Sequence, residues 1–408
     1  MPSIAQRVQK TPASPIRRLV PYAEAAKSRG LHVFHLNIGQ PDIETPKSGV
    51  NALQEADLGV ISYSHSAGIL SYREKLVEFY ARYEIEITTE QMIVTNGGSE
   101  ALLFAMLTCA NAGDEVIVPE PFYANYNGFA KSLDITIVPI TARIEDGFAL
   151  PPMEDFEKKI TDKTRAILIC NPSNPTGYLY SKEELEQLRS IVQKHDLFLV
   201  ADEVYRDFCY EGQTHTSILS LDGMEDYAIV IDSISKRYSA CGARMGVVLS
   251  KNVDFMEQAM KLAQARLSPS TLAQILAEGL IDTPQNYFQE VTAEYNNRRQ
   301  TVISRLQGME GVTCPNPKGA FYAFAQFPVD DCDKFCQWLL EEFEYEGKTV
   351  MMAPGAGFYN STGLGKQEAR IAYVLNVDAL NSAMDCLEKA LTVYPGRVIA
   401  VDNNATTA

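Results

Sequence analysis

The chain reads as an α/β protein: a large domain with a mostly parallel, doubly wound sheet, joined to a smaller α+β domain. Three observations lead there. Between about residue 90 and residue 250, seven short apolar runs alternate with helical patterns, as successive strand–helix units do. Several of these runs are apolar almost without interruption, which strands covered on both faces require. The last third loses the alternation, so a differently built unit is expected there.

The elements follow in order. The first acidic residue is Glu24. A basic start of this kind also occurs in transit peptides, but no apolar core of a secretory signal is present. Residues 1–44 are read as an N-terminal arm that also completes the small domain. Residues 45–284 form the large domain, with strands expected at 91–95, 114–119, 135–140, 165–170, 197–202, 227–232 and 245–250. Among the intervening helices, "SKEELEQLRSIVQKHD" opens with Ser181 and Glu184 at capping-box spacing. Residues 285–408 form the small domain. They start with a long charged helix over 285–310, pass through "GVTCPNPKGAFYAFAQF" and "ARIAYVLN", and end in the polar "DNNATTA", which is expected to fray.

Bulk properties exclude several functions. The 408 residues exceed what one simple core organises. A formal net charge of −16 disfavours a nucleic-acid partner, because phosphate backbones are bound by clustered Lys and Arg. The longest apolar run, "ALLFAMLTCA", is too short to span a bilayer. The eight cysteines include no CxxC pair and sit mostly in apolar contexts, as in a reduced, cytoplasmic protein. No metal site is expected.

In open α/β sheets, ligands bind beyond the carboxyl ends of the strands. After 91–95 comes "NGGSEAL", a glycine turn into a helix whose free amides make an anion site, although such a turn is commonly only a turn. After 165–170 comes "NPSNPTG", a constrained loop with Asn171 and Asn174. Asp202 ends the next run; a buried acid is costly unless it is paired, and a plain helix cap is an equal reading. The last segment is "SISKRYSACGARMG". A desolvated lysine such as Lys236 is nucleophilic toward carbonyls, and Ser233, Ser235 and Arg244 suit a phosphate. No GxGxxG follows any strand, which removes a dinucleotide-dependent dehydrogenase.

Taken together, these features resemble the fold-type I pyridoxal-phosphate enzymes, specifically the class I/II aminotransferases of the aspartate aminotransferase superfamily. "LNIGQPD", "YSHSAGILSYRE", "GGSEAL", "PEPFYANY", "NPSNPTG", "ADEVYRDF", "SISKRYSACGARMG", "APGAGFY" and "ARIAY" occur in the family's order and at its spacings over nearly the whole chain. The resemblance implies pyridoxal 5′-phosphate as cofactor. It implies a Schiff base on Lys236, which then shuttles protons, and a pairing of Asp202 with the pyridine nitrogen. Tyr205 and Asn174 would bond the ring's 3-oxygen. Tyr123 would stack on the ring where many relatives carry Trp, with Phe122 as fallback.

The phosphate would lie on Gly98, Ser99, Glu100, Ser233, Ser235 and Arg244, joined by Tyr63 of a partner subunit in a homodimer. Arg370 would clamp the substrate α-carboxylate, helped by Asn174 and the backbone near Gly39. The implied reaction is ping-pong transamination between an amino acid, aspartate or a related one, and a 2-oxo acid. Some relatives bind a distal carboxylate with a lysine just after the glycine turn; here Ser99 and Glu100 stand there. Arg17, Arg18, Arg266 and Lys318 are the candidate substitutes. Tyr123, Phe358 and Tyr359 would instead line an aromatic or aliphatic pocket. A C–S β-lyase or a decarboxylase would keep the same cofactor residues. A pyridoxal-binding regulator would need a DNA-binding module, and the family's motifs already begin by residue 36.

Overall fold

The computed structural model describes residues 2–9, 11 and 14–398; the "DNNATTA" end lies outside them. A first strand, β1 (His32–His35), precedes the large sheet. That sheet comprises β2 (Met92–Thr95), β3 (Glu115–Glu120), β4 (Thr136–Thr141), β5 (Thr164–Cys170), β6 (Phe198–Asp202), β7 (Ala228–Ser233) and β8 (Gly246–Leu249). Each falls within a residue or so of an expected strand. The spatial order is β2-β8-β7-β6-β5-β3-β4. β3 through β7 pair in parallel, and β8 runs antiparallel to both its neighbours.

The uninterrupted apolar runs have the cause assigned to them. Ile167, Ile169, Leu199 and Val230 enter the core on one face of the sheet. Ala166, Leu168, Val200 and Ile231 enter the core on the other. Full burial of such a side chain stabilises by about 1.5–3 kcal/mol, so central strands with no polar face are favoured only where helices cover both sides. One covering helix, Lys182–His195, starts with the capping box expected from Ser181 and Glu184.

The C-terminal third forms β9 (Tyr322–Gln326), β10 (Lys348–Met351), β11 (Ala353–Pro354) and β12 (Glu368–Ala372). β11, β12 and β9 make an antiparallel sheet. β1 pairs in parallel with β10, so residues near the N-terminus complete the C-terminal unit. The long helix runs Gln285–Gly308 and the last one Val377–Val393. No described helix is long and apolar enough to cross a membrane.

Candidate active site

A cavity of about 290 Å³ opens at the carboxyl ends of β5, β6 and β7. At one side lies the turn after β2. Gly97 has φ +84°, and a Cβ there would come within 2.4 Å of the Arg244 guanidinium. Glycine is therefore required both for the backbone conformation and for the arginine's approach. The helix Gly98–Cys109 begins at this turn. The Gly98 and Ser99 amides, in its first turn, have no acceptor among the described residues, as helix starts leave them.

Ser233 caps the short helix Ile234–Arg237, accepting from the Ser235 amide. Its hydroxyl lies 2.7 Å from that of Ser235. Arg244 adopts the left-handed conformation with φ +55° and donates to the Cys241 carbonyl at 3.1 Å. Two amides, two hydroxyls and a guanidinium make an anion pole that suits a phosphate.

Asp202 lies across the cavity at the end of β6. Its Oδ2 accepts from the Tyr126 hydroxyl at 2.8 Å. Its Oδ1 is buried with no partner, and burial pushes its pKa up to about 6. A buried carboxylate oxygen without a donor is costly, and a protonated ring nitrogen would supply the missing one. Lys236 Nζ donates to the Gly39 carbonyl at 2.7 Å, and burial lowers its pKa to about 8. These residues fit pyridoxal phosphate, whose phosphate, ring nitrogen and aldehyde would each find a suitable group here.

Arg370 leaves β12 toward the same cavity. It donates to Asn174 Oδ1 at 2.8 Å and to the Asn37 carbonyl at 2.6 Å. Its Nε has no partner. Its guanidinium lies 4.4 Å from the Tyr322 ring centroid and 4.9 Å from that of Phe358. Stacked rings hold the fork flat, and an open N–H edge suits a carboxylate. Tyr205 and Tyr322 share a hydroxyl contact of 2.9 Å. Gly39 permits this packing, since a Cβ there would fall 1.8 Å from the Tyr322 hydroxyl.

The cavity lining brings together Lys236, Asp202, Tyr205, Asn174, Gly98, Ser99, Tyr123, Ser233, Ser235, Arg244, Arg370 and Gly39. Several expectations need correction. Glu100 is not part of the anion pole. Its amide donates to the Gly97 carbonyl, and its carboxylate accepts from the Asn96 amide at 2.8 Å. Phe122 is buried against Tyr126, with ring centroids 6.1 Å apart, and leaves Tyr123 as the ring that faces the cavity.

Of the four candidate cations, only Arg17 lines the cavity. Arg18 pairs with Asp333, Lys318 with Glu211, and Arg266 with Glu100. The aromatic pocket does not form as expected. Phe358 lies beneath Arg370, and the Tyr359 hydroxyl donates to Glu368 at 2.7 Å. Tyr63 is 79% exposed and stands outside the cavity.

Asn171 serves the loop, accepting from the Tyr180 amide at 3.1 Å. Sequence reasoning missed Tyr322, Tyr126, Cys241 and the arm residues Ser14 and Ile16. Tyr322 sits in the quoted "GAFYAF", where alternation puts it on the face opposite Phe321. Nothing local marks the others.

The profile of the family "Aminotransferase class I and II" matches residues 32–384. An aspartate aminotransferase of Pyrococcus horikoshii is 33% identical, over 95% of this chain and 97% of its own. Aromatic-amino-acid aminotransferase 2 of Thermococcus litoralis is 30% identical over 95% of this chain and 98% of its own. The structure of an alanine aminotransferase from Pyrococcus furiosus superposes with a TM-score of 0.87 at 31% identity, covering 95% of this chain and 99% of its own. The chain belongs to the class I and II aminotransferases and is a pyridoxal-phosphate-dependent enzyme of fold type I.

Proposed function

We propose that this aminotransferase moves an amino group between aspartate, or a related dicarboxylic amino acid, and a 2-oxo acid by a ping-pong route. The observation that carries the reading is one cavity lined by Lys236, Asp202 and Arg370, with Asp202 Oδ1 and Arg370 Nε both buried and unpartnered. Pyridoxal phosphate, when bound, supplies an electrophilic aldehyde and an electron-withdrawing ring. The remaining work falls to this chain.

Gly98, Ser99, Ser233, Ser235 and Arg244 would hold the phosphate. Asp202 would accept from the ring nitrogen and keep it protonated, and Tyr123 would cover a ring face. Asn174 commits its oxygen to Arg370, which leaves its NH₂ group, with the Tyr205 hydroxyl, for the ring's 3-oxygen. Lys236 would hold the aldehyde. Once freed, its amine would take the proton from the substrate Cα and deliver it to the carbon that had been the cofactor's aldehyde, and a pKa of about 8 suits it to both tasks near neutral pH. Arg370 would bind the α-carboxylate along its open edge. Arg17 would meet a distal carboxylate, because the other three cations already hold acids.

The same reading includes a homodimer, with Tyr63 reaching the partner's phosphate site. Its support is an exposed apolar strip: Val60, Ile61 and Tyr63. The pairing of β1 with β10 supports the division into 1–44, 45–284 and 285–408. Eight free cysteines support a reducing, cytoplasmic location.

Half-reactions with aspartate, alanine and phenylalanine, followed by visible absorbance, test the proposal. Aspartate is expected to react fastest, and Lys236→Ala to lose both the visible band and amino transfer. Equal rates for the three donors overturn the substrate reading; a retained band in Lys236→Ala overturns the assignment of the lysine.

A further inference from the structure

We propose that Arg206, Asp207, Asp232 and Arg237 form a reciprocal clamp behind the cavity and act as positioning residues for Asp202 and Lys236. The inference rests on the roles just given to those two groups. It starts from how two chain segments divide their side chains between the cavity and the interior behind it. Asp202 and Tyr205 line the cavity, as do Ser233 and Lys236. Their neighbours Glu203, Arg206, Asp232 and Arg237 are buried on the reverse side, where Arg206 and Asp207 border a separate depression.

Each segment gives the other one arginine. Arg206, from the first, lies 3.8 Å from Asp232 of the second. Arg237, from the second, donates to Asp207 of the first and takes Asp232 with two contacts of 2.9 and 3.2 Å. Arg206 also pairs with Glu203, which accepts from the Ser217 hydroxyl at 3.0 Å and the Ile218 amide at 3.1 Å. Buried His215 stands 3.7 Å from the same carboxylate.

The helix Leu70–Ala81 and the turn after it complete the set. The Tyr80 hydroxyl donates to Asp232 at 2.8 Å and that of Tyr83 to Asp207 at 2.6 Å. The Arg237 guanidinium lies 4.6 Å from the Phe79 ring centroid, and that of Arg206 lies 5.1 Å from the Tyr80 ring centroid. Asp232 Oδ1 finally accepts the Ser233 amide at 2.7 Å, which ties the clamp to the turn that carries Lys236.

Buried ion pairs are poor devices for stability alone, because apolar groups of similar volume do as well or better. They are good devices for fixing geometry, since a fork between two acids tolerates little rotation. Asp202 ends β6 and Lys236 lies in the short helix that follows β7, and the two must address opposite ends of one small molecule. An error of about 1 Å in such a placement can cost on the order of a hundredfold in rate. The clamp joins those strands directly behind the groups concerned.

The test uses the holoenzyme of Arg237→Gln and of Arg237→Lys, which keeps the charge and loses the two-acid fork. Lys236 itself is faced by Asp202, Cys241, Arg244 and Arg370, none of which either variant alters. For Arg237→Gln, kcat is expected to fall about tenfold or more with KM for the amino donor within about threefold. The pH midpoint of the visible band is expected to move by about half a unit or more. Arg237→Lys should recover part of both. Should Arg237→Gln fail to fold, Arg237→Lys decides on the same readouts. A folded, cofactor-loaded variant with wild-type kcat and midpoint overturns the clamp. Lys236→Ala run alongside separates the two ideas: if it keeps the visible band, the lysine assignment has failed instead.

Discussion

Lys236 is a charged side chain placed where water is scarce, and its surroundings make that tolerable. Ser233, Ser235 and Cys241 line the cavity beside it, and the Gly39 carbonyl takes its proton donor. Burial disfavours the ammonium form, so the group that must lose a proton is held near its point of loss. Asp202 shows the opposite sign. Burial pushes its pKa up to about 6, and a cationic donor at the bare Oδ1 would draw it down again. Arg17 belongs to the same scale. An exposed cation at the cavity mouth distinguishes a distal carboxylate from a neutral side chain by charge alone. Arg17→Gln is expected to raise KM for aspartate and 2-oxoglutarate roughly tenfold, about 1.4 kcal/mol, and to leave that for alanine unchanged. Steady-state kinetics with the three substrates checks this; equal effects on all three place the distal carboxylate elsewhere.

Elements decide which residues can meet. Lys236, Asp202 and Asn174 come from segments that follow β7, β6 and β5, three adjacent parallel strands. Side chains along a strand alternate between faces; past the strand ends the chain turns, and a spacing of three residues brings Asp202 with Tyr205 and Ser233 with Lys236 to the cavity. The elements themselves were readable because their signals are local. The Lys182–His195 helix shows this in its capping box, where Ser181 accepts from the Glu184 amide at 3.1 Å and Glu184 reaches back to the Ser181 amide at 2.8 Å. Ser181→Ala is expected to lower stability by about 1 kcal/mol with kcat and KM unchanged, as checked by denaturant unfolding and steady-state kinetics. No loss of stability would mean that the cap adds nothing to the packed helix.

At the scale of the whole molecule, the chain closes on itself and then, in our reading, on a second copy. β1 crosses to β10, and the arm that precedes it brings Ser14, Ile16 and Arg17 to the cavity. A Cβ at Gly357 would fall 2.3 Å from Pro15, so the arm is seated closely against the C-terminal unit. Tyr63 belongs to the next level in our reading, because with Val60 and Ile61 it leaves an apolar strip open. Tyr63→Ala is expected to bind pyridoxal phosphate more weakly. Mixed dimers of Tyr63→Ala with inactive Lys236→Ala should regain activity, because one of their two sites is then wild type. Absence of recovery, in dimers shown to exchange subunits, argues against a shared site.

The sequence alone determined the α/β architecture, the strand positions, the cofactor and most of the residues that line the candidate site. Those properties rest on signals a few residues long: apolar runs, caps, glycine turns, and short motifs in a fixed order. The tertiary structure decided what depends on distant residues meeting. It separated Asn174 from Asn171, Tyr123 from Phe122 and Arg17 from three other cations. It removed Glu100 from the phosphate pole, and it introduced Tyr322 and Tyr126, whose hydroxyls reach Tyr205 and Asp202 from 117 and 76 residues away in the chain. Arg206 and Arg237 also look in sequence like ordinary solvated cations. Only burial against Asp232 and Asp207 gives them a task, because the worth of a charge depends on which opposite charges share its low-dielectric surroundings.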